Sequence, residues 1–316
     1  MSRQLRSVLI AGGSALALAM AAPASATDLL ISPQSEAERA LGGTTGNLAV
    51  WFQGVFGSYD REGGVDESDN EFDNLAAGFG AHSRVHHDYG GGQGFQLEAI
   101  GDFHLSMASD DDDDDDDDAG AAWGAVGGHW ISRNDSSAHG VFAGLSGVAH
   151  HTDVESAVHA FGGVEKAWFM ANRMWFGQLG GAVVVDGEDA LGSLVYGRVG
   201  HKHFISPDSS LELTGLLGYA PDYDTDCCGD DTALWLQFTA EYEHQWGHGP
   251  YSWFVGYQGD YVDAREDTDE TVFVSTVKGG LRMTFGGNLY EETHYGSQTF
   301  GFANMRAPMS YAGELN

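Results

Sequence analysis

Apolar and polar residues alternate along short stretches of the chain between residues 47 and 285. Residues 94–107 show the alternation most clearly: one face carries Phe95, Leu97, Phe103 and Leu105, and the other carries Gln96, Glu98, Asp102 and His104. Because side chains of a β-strand point alternately to its two faces, the pattern predicts strands with one apolar and one polar face.

Twelve such segments follow one another, and each is long enough to cross a bilayer as a tilted strand, which takes about 9–11 residues. The fold class predicted from them is all-β, a single closed antiparallel up-and-down transmembrane β-barrel of about 12 strands over residues 47–285. An even number of strands returns both ends of the barrel to the same side. The segments lie near residues 47–59, 72–88, 94–107, 120–131, 138–150, 156–170, 174–185, 191–205, 210–220, 232–245, 251–263 and 272–285.

The connections between these segments are of two kinds, and the two kinds alternate. Every second connection is acidic, and the others are short and carry little charge. If strands run up and down in order, one end of the barrel is strongly acidic and the other is not. A soluble sandwich has no reason to sort its loops in this way, whereas the two ends of a membrane barrel face different compartments. The acidic connections are residues 60–71, 110–118, 153–155, 186–189, 222–231 and 263–270.

The N-terminus predicts export. Residues 1–26 combine Arg3 and Arg6, an apolar stretch over residues 8–17, and Ala24-Ser25-Ala26, which is typical of a secretory signal peptide and its cleavage site. Residues 27–46 then form a short periplasmic N-terminal segment. The net charge of −33 excludes nucleic acid as a partner and favours divalent cations.

The signal peptide, the even strand count, and short connections opposite long ones resemble the porin-like β-barrel proteins of Gram-negative outer membranes. The resemblance covers residues 47–285, and Phe285 matches the aromatic residue that ends the closing strand of that family. It implies a position in the cell outer membrane, with acidic loops extracellular, both termini periplasmic, and outer-membrane lipid and lipopolysaccharide as partners. Residues 286–316 depart from the family. This periplasmic tail is expected to plug the barrel opening, to pack on it, or to be loose.

The polar face of the strands carries nearly balanced charges that the alternation directs into the lumen. Two interpretations follow, a charged constriction that selects solutes and a network that braces the wall. Counting around the turns places Arg84 opposite Glu98, and Lys202 opposite Glu212. The predicted lumen residues are Arg84, Glu98, Asp102, Glu165, Arg198, Lys202, Glu212, Glu241, Asp260, Lys278 and Arg282.

The acidic loops are the candidate metal site. Hard cations such as Ca²⁺ or Mg²⁺ take several carboxylate oxygens, and loops that converge at one mouth supply them. The spacing of Asp222, Asp224 and Asp226 matches the start of an EF-hand, but Cys227 and Ala233 stand where that motif needs Gly and Glu. The candidate ligands are Asp110, Asp111, Asp112, Asp113, Asp114, Asp115, Asp116, Asp117, Asp118, Asp222, Asp224, Asp226, Asp230 and Asp231.

Three functions are compatible with this sequence. The first is a channel for passive diffusion of small solutes, with a preference for cations set by the acidic mouth. The second is a non-conducting surface barrel whose loops bind divalent cations and bridge to lipopolysaccharide or a surface layer. The third, a lipid-modifying enzyme that uses His104 and Ser106, is disfavoured because both residues fall on the lumen face. No catalytic residue and no required cofactor are predicted, and a homo-oligomer stays open.

Overall fold

The computed structural model describes part of the chain: residues 43–61, 75–106, 120–150, 157–186, 193–222, 232–247, 249–265, 269–285, 289–296 and 298–306. The predicted signal peptide, residues 1–26, lies outside them. No helix among the described residues is long and apolar enough to cross a membrane.

Twelve antiparallel strands form one closed barrel in chain order, because β1 pairs with both β2 and β12. This confirms the predicted fold class. The strands are β1 Gly43–Arg61, β2 Leu75–Asp88, β3 Gln93–Ser106, β4 Gly120–Arg133, β5 Ser137–His150, β6 Ala157–Met170, β7 Arg173–Asp186, β8 Ser193–Ser206, β9 Ser209–Asp222, β10 Thr232–Gln245, β11 Tyr251–Arg265 and β12 Asp269–Phe285. A helix, α1, follows at Leu289–Tyr295.

Two strands begin three or four residues earlier than expected. Strand β1 begins at Gly43, so the end of the predicted N-terminal segment is already part of the wall. Strand β12 begins at Asp269, because its first residues pair with the end of β11 beyond the point where alternation is visible.

The apolar face of the strands points outward, as expected of a membrane barrel. On β3, Leu97 and Leu105 are 56% and 50% exposed, whereas Gln96 and Glu98 are 0% and 2% exposed. Apolar side chains therefore cover the outside, and polar side chains fill the lumen, which is the reverse of a soluble barrel. A surface of this kind is stable in contact with lipid.

Glycines make room for large rings inside the lumen. A Cβ atom on Gly80 would lie 2.2 Å from the Trp51 ring, and one on Gly200 would lie 2.1 Å from the Phe176 ring. Each ring lies across the backbone of the neighbouring strand, so the wall can hold aromatic side chains without widening.

The chain re-enters the barrel after the closing strand. Helix α1 lies at the end with the short connections, which we call the turn end: the main-chain nitrogen of Leu289 donates to Gln245 Oε1 at 3.2 Å, and that of Tyr290 to the Pro207 carbonyl at 3.3 Å. Residues 298–306 then run along the lumen towards the opposite end, which we call the loop end.

The tail was expected to lie in the periplasm, and plugging the barrel was one of its three expected arrangements. Its described part, α1 with residues 298–306, lies inside the barrel. The physical reason is that buried side chains of the wall bind its main chain and its one Lys or Arg, which is Arg306. We refer to residues 289–306 as the plug.

Candidate functional site in the barrel lumen

Glu98 is the centre of a buried ionic network near the middle of β3. Its carboxylate lies 2.7 Å from His82 Nε2, 3.3 Å from Arg84 Nε and 3.1 Å from His129 Nε2. The other ring nitrogen of His129 lies 2.9 Å from Glu165 Oε1. Each ring nitrogen of His129 thus faces a carboxylate oxygen, so the ring bridges Glu98 and Glu165. We call these five residues the Glu98 network.

The wall binds the plug mainly through its main chain. The Phe302 nitrogen donates to Glu98 Oε1 at 3.2 Å, which attaches the plug to the Glu98 network. Side chains donate to three plug carbonyls: Gln96 to Phe300 at 3.0 Å, Gln178 and Arg198 to Gly301 at 2.9 and 3.0 Å, and Gln237 to Asn304 at 3.0 Å. The plug backbone lacks regular structure here, and these wall side chains supply partners for four of its main-chain groups.

Phe302 anchors the plug by ring packing. Its ring stacks on His129 with centroids 4.6 Å apart and meets the edge of Phe161 at 4.8 Å. Phe302 is only 6% exposed. The plug therefore packs closely against the wall formed by β4, β5 and β6.

Arg306 binds the wall at the end of the plug that lies nearest the loop end. Its guanidinium donates to Asp102 Oδ1 at 3.2 Å and to Thr276 Oγ1 at 3.0 Å. Arg306 and Asp102 are 2% exposed at their side chains. The contact joins β3 and β12 through the tail, so the plug connects wall segments on two sides of the lumen.

A second set of ion pairs lies on the wall formed by β10 and β12. Glu241 contacts Lys278 Nζ at 2.8 Å and Arg282 Nη2 at 3.0 Å, and Arg282 also pairs with Glu243. These pairs cross from β10 to β12 over β11. They place charge of both signs along one side of the lumen.

A cavity of about 150 Å³ remains between the plug and the wall formed chiefly by β1, β2 and β7–β12. Of the 11 predicted lumen residues, eight line this cavity, and Glu98, Glu165 and Asp260 do not. The first two are covered by the plug. Asp260 accepts hydrogen bonds from Trp235, Gln237 and Gln258 instead. The eight lining residues are Arg84, Asp102, Arg198, Lys202, Glu212, Glu241, Lys278 and Arg282.

The two predicted cross-strand pairs are present. Arg84 is in register with Glu98, and Lys202 is in register with Glu212 at a distance of 3.6 Å between Nζ and Oε2. The alternation and the turn lengths suffice to place these pairs. Whether they select a solute stays a prediction.

The candidate metal ligands lie outside the described residues: Asp110–Asp118, Asp224, Asp226, Asp230 and Asp231 fall in undescribed connections, and only the backbone of Asp222 is described. Among the described residues, no group of three or more His, Cys, Asp or Glu side chains could hold a metal ion. The side chain of Ser106, the proposed partner of His104 in an enzyme, is also outside the described part.

Four members of the lumen ion pairs were not predicted as site residues: His82, His129, Glu243 and Arg306. A signal for Arg306 is present in the sequence. The predicted lumen set has six carboxylates and five bases, an excess of one acid, and Arg306 is the one Lys or Arg in residues 286–316.

Comparisons with known proteins show a similarity in fold and none in sequence. No protein-family model matches the chain, and no curated protein matches its sequence. Its structure is similar to that of an outer-membrane channel from Pseudomonas putida F1, with a TM-score of 0.50 and 11% identity over 82% of this chain and 98% of that one. A Pseudomonas aeruginosa FadL homologue matches with a TM-score of 0.41 and 8% identity over 77% of this chain and 90% of that one. The fold is that of porin-like outer-membrane β-barrels.

Proposed function

We propose that the protein is an outer-membrane channel for passive diffusion of small solutes, whose lumen is narrowed by its own plug. The single observation that carries this proposal is the charge-lined cavity beside the plug. Acidic and basic side chains that pair with each other bound this cavity, including Glu241 with Lys278 and Lys202 with Glu212. Solutes small enough to pass would move along this side of the lumen, and the fixed charges would select among them.

Cation preference would come from the acidic connections, which on this proposal face outside while the turn end faces the periplasm. Charges at a solvated mouth act over a Debye length, about 8 Å at physiological salt. Wild type should therefore prefer cations at low salt and lose this preference at high salt.

The test is the reversal potential across a salt gradient in a planar bilayer. Wild type is compared with a variant in which Asp110–Asp118 are replaced by Ser and Gly. A control replaces Ser136 and Ser137, at the turn end, by Gly. Loss of cation preference in the Asp variant alone supports the acidic mouth. Anion preference in wild type, or the absence of any conductance, contradicts the proposal.

The plug also favours a second function, a non-conducting surface barrel whose acidic loops bind Ca²⁺ or Mg²⁺ and bridge to lipopolysaccharide. A filled lumen is what such a barrel needs. Convergent loops would bind calcium weakly, at about 10⁻⁴–10⁻³ M, and would raise the melting temperature by mass action. A calcium titration in which the melting temperature does not respond below about ten millimolar would exclude this function.

A further inference from the structure

The lipid-facing surface carries permanent positive charge in one sector. On β6, Lys166 follows the outward alternation of Val164 and Trp168, which are 54% and 45% exposed, and Lys166 is itself exposed. On β7, Arg173 shares the outward face with Trp175 and is also exposed. In the half of β5–β8 nearer the turn end, outward positions carry no Asp or Glu. Within the described part of the chain, neither cation has a carboxylate within 4.0 Å.

Register places these residues side by side at the turn end. Trp168 is opposite Trp175, Trp175 is opposite His201, and Arg173 is opposite His203. The Lys166 ammonium lies 5.2 Å from the centroid of the Trp168 ring, and the rings of Trp175 and His201 are 4.4 Å apart. We call this surface the turn-end patch, and it consists of Lys166, Trp168, Arg173, Trp175, His201 and His203.

The depth of the patch determines what can cover it. Tryptophan side chains collect at the level of lipid headgroups, so Trp168 and Trp175 mark that level. A Lys or Arg on the lipid face is costly at the middle of a bilayer and costs almost nothing at the interface, where its head reaches phosphate. Unpaired cations beside tryptophan at this depth therefore face a headgroup.

We propose that the turn-end patch binds the headgroup of an anionic glycerophospholipid in the leaflet at the turn end. Lys166 and Arg173 would contact the headgroup from two adjacent strands, and the indole rings would pack on the glycerol and upper acyl region. The chain carries a net charge of −33 and repels anionic lipid elsewhere, so this sector is where such a lipid can approach. The proposal rests on the proposed function only in placing the barrel in a membrane.

The test measures lipid retention by native mass spectrometry of the full chain in detergent, with phosphatidylglycerol, phosphatidylcholine or lipopolysaccharide added. Each cation near an anionic headgroup contributes about fivefold in affinity, so the Lys166→Gln, Arg173→Gln double variant should lose about 30-fold of the phosphatidylglycerol binding. Lys166→Arg with Arg173→Lys keeps both charges and should retain most of the binding. His244→Gln, on the outward face of β10, is the matched control and should behave as wild type.

Three results would overturn the proposal: equal retention of phosphatidylglycerol and phosphatidylcholine by wild type, undiminished retention by the double Gln variant, or loss of lipopolysaccharide alone in that variant. A double Gln variant that does not fold is replaced by the two single variants, each expected to lose about fivefold. Lipid retention is independent of ion flow, so a barrel without conductance in planar bilayers can still pass this test. Failure here and failure of the channel proposal are thereby distinguishable.

Discussion

Glu98 Oε1 on β3 accepts a hydrogen bond from the main-chain nitrogen of Phe302 at 3.2 Å, and these two residues are 204 positions apart in the chain. The same carboxylate holds His82, Arg84 and His129 on the wall. One buried acid therefore both braces three strands and fixes the plug.

Replacing Glu98 by Gln should destabilise the barrel. The variant keeps the shape of the side chain but removes the charge, and its amide group faces nitrogen donors of Arg84 and His129. Breaking a buried ion pair costs about 3–5 kcal/mol. The measurement is the free energy of unfolding in urea.

The control for this variant is Glu212→Gln. The Glu212 side chain is 29% exposed and pairs with Lys202 at 3.6 Å, so its loss should cost about 1 kcal/mol or less. Equal destabilisation by the two substitutions would show that Glu98 has no special structural role.

Removing residues 289–316 should raise the single-channel conductance severalfold. The plug packs on β3–β6 and reaches across the lumen to β10 and β12, and without it the cavity extends to the Glu98 network. Truncation after Arg306 is the matched control, because it keeps every plug contact given above. Unchanged conductance in the longer deletion would show that the plug does not limit flow.

The faces of the strands could be predicted from sequence because side chains in a strand alternate with a period of two residues. Leu97 and Glu98 must lie on opposite faces, and the turn of residues 89–92 fixes the register of Arg84 with Glu98. Positive φ values at Gly90, Gly91 and Gly92 explain why this turn is so rich in glycine.

The position of the plug could not be predicted in the same way. Its attachments run from Gln96, Gln178 and Gln237 to main-chain carbonyls, which every sequence has, and residues 298–306 show no periodic pattern. Only a contact between charged side chains, such as that of Arg306 with Asp102, can be inferred from the sequence, through the balance of acidic and basic residues. The lining of the cavity could be predicted only in part from the lumen charges, because the plug covers Glu98 and Glu165.

Exchanging Arg306 and Asp102 tests the deepest plug contact. Arg306→Asp alone places two carboxylates side by side, and Asp102→Arg alone places two guanidinium groups together, so each should weaken plug binding. The double exchange should recover part of the loss, with a coupling free energy of about 0.5–3 kcal/mol. Protease cleavage of the tail measures the fraction of plug released.

Additive effects of the two single substitutions in this cycle would contradict the contact. Lys278→Glu with Glu241→Lys is a cycle within the wall for comparison. Its pair joins β12 and β10 at 2.8 Å, and no hydrogen bond or ion pair given above joins either residue to the plug, so its coupling should appear in unfolding and not in tail cleavage.

Plug binding should weaken in mild acid because of His294 in α1. Burial lowers the pKa of His294 below its ordinary value of about 6.5. The nearby positive charges of Arg133 and Lys202 lower this pKa further, whereas hydrogen bonds to the carbonyls of Tyr290 and Met170 raise it without reversing the shift. The inserted plug thus holds the ring neutral, stacked 3.9 Å from Tyr290. A released plug takes up a proton at the ordinary pKa. As pH falls below about 6.5, the released state therefore gains stability relative to the inserted one, until pH passes the lowered pKa.

The measurement is tail cleavage and conductance from about pH 7.5 to about pH 5. Wild type should show increasing cleavage and conductance as pH falls. The histidines of the wall, including His82 and His129, are the same in wild type and in a His294→Gln variant. The difference between the two proteins therefore isolates His294, and the variant should show a flatter pH response. Identical pH profiles would mean that His294 does not couple protonation to release of the plug.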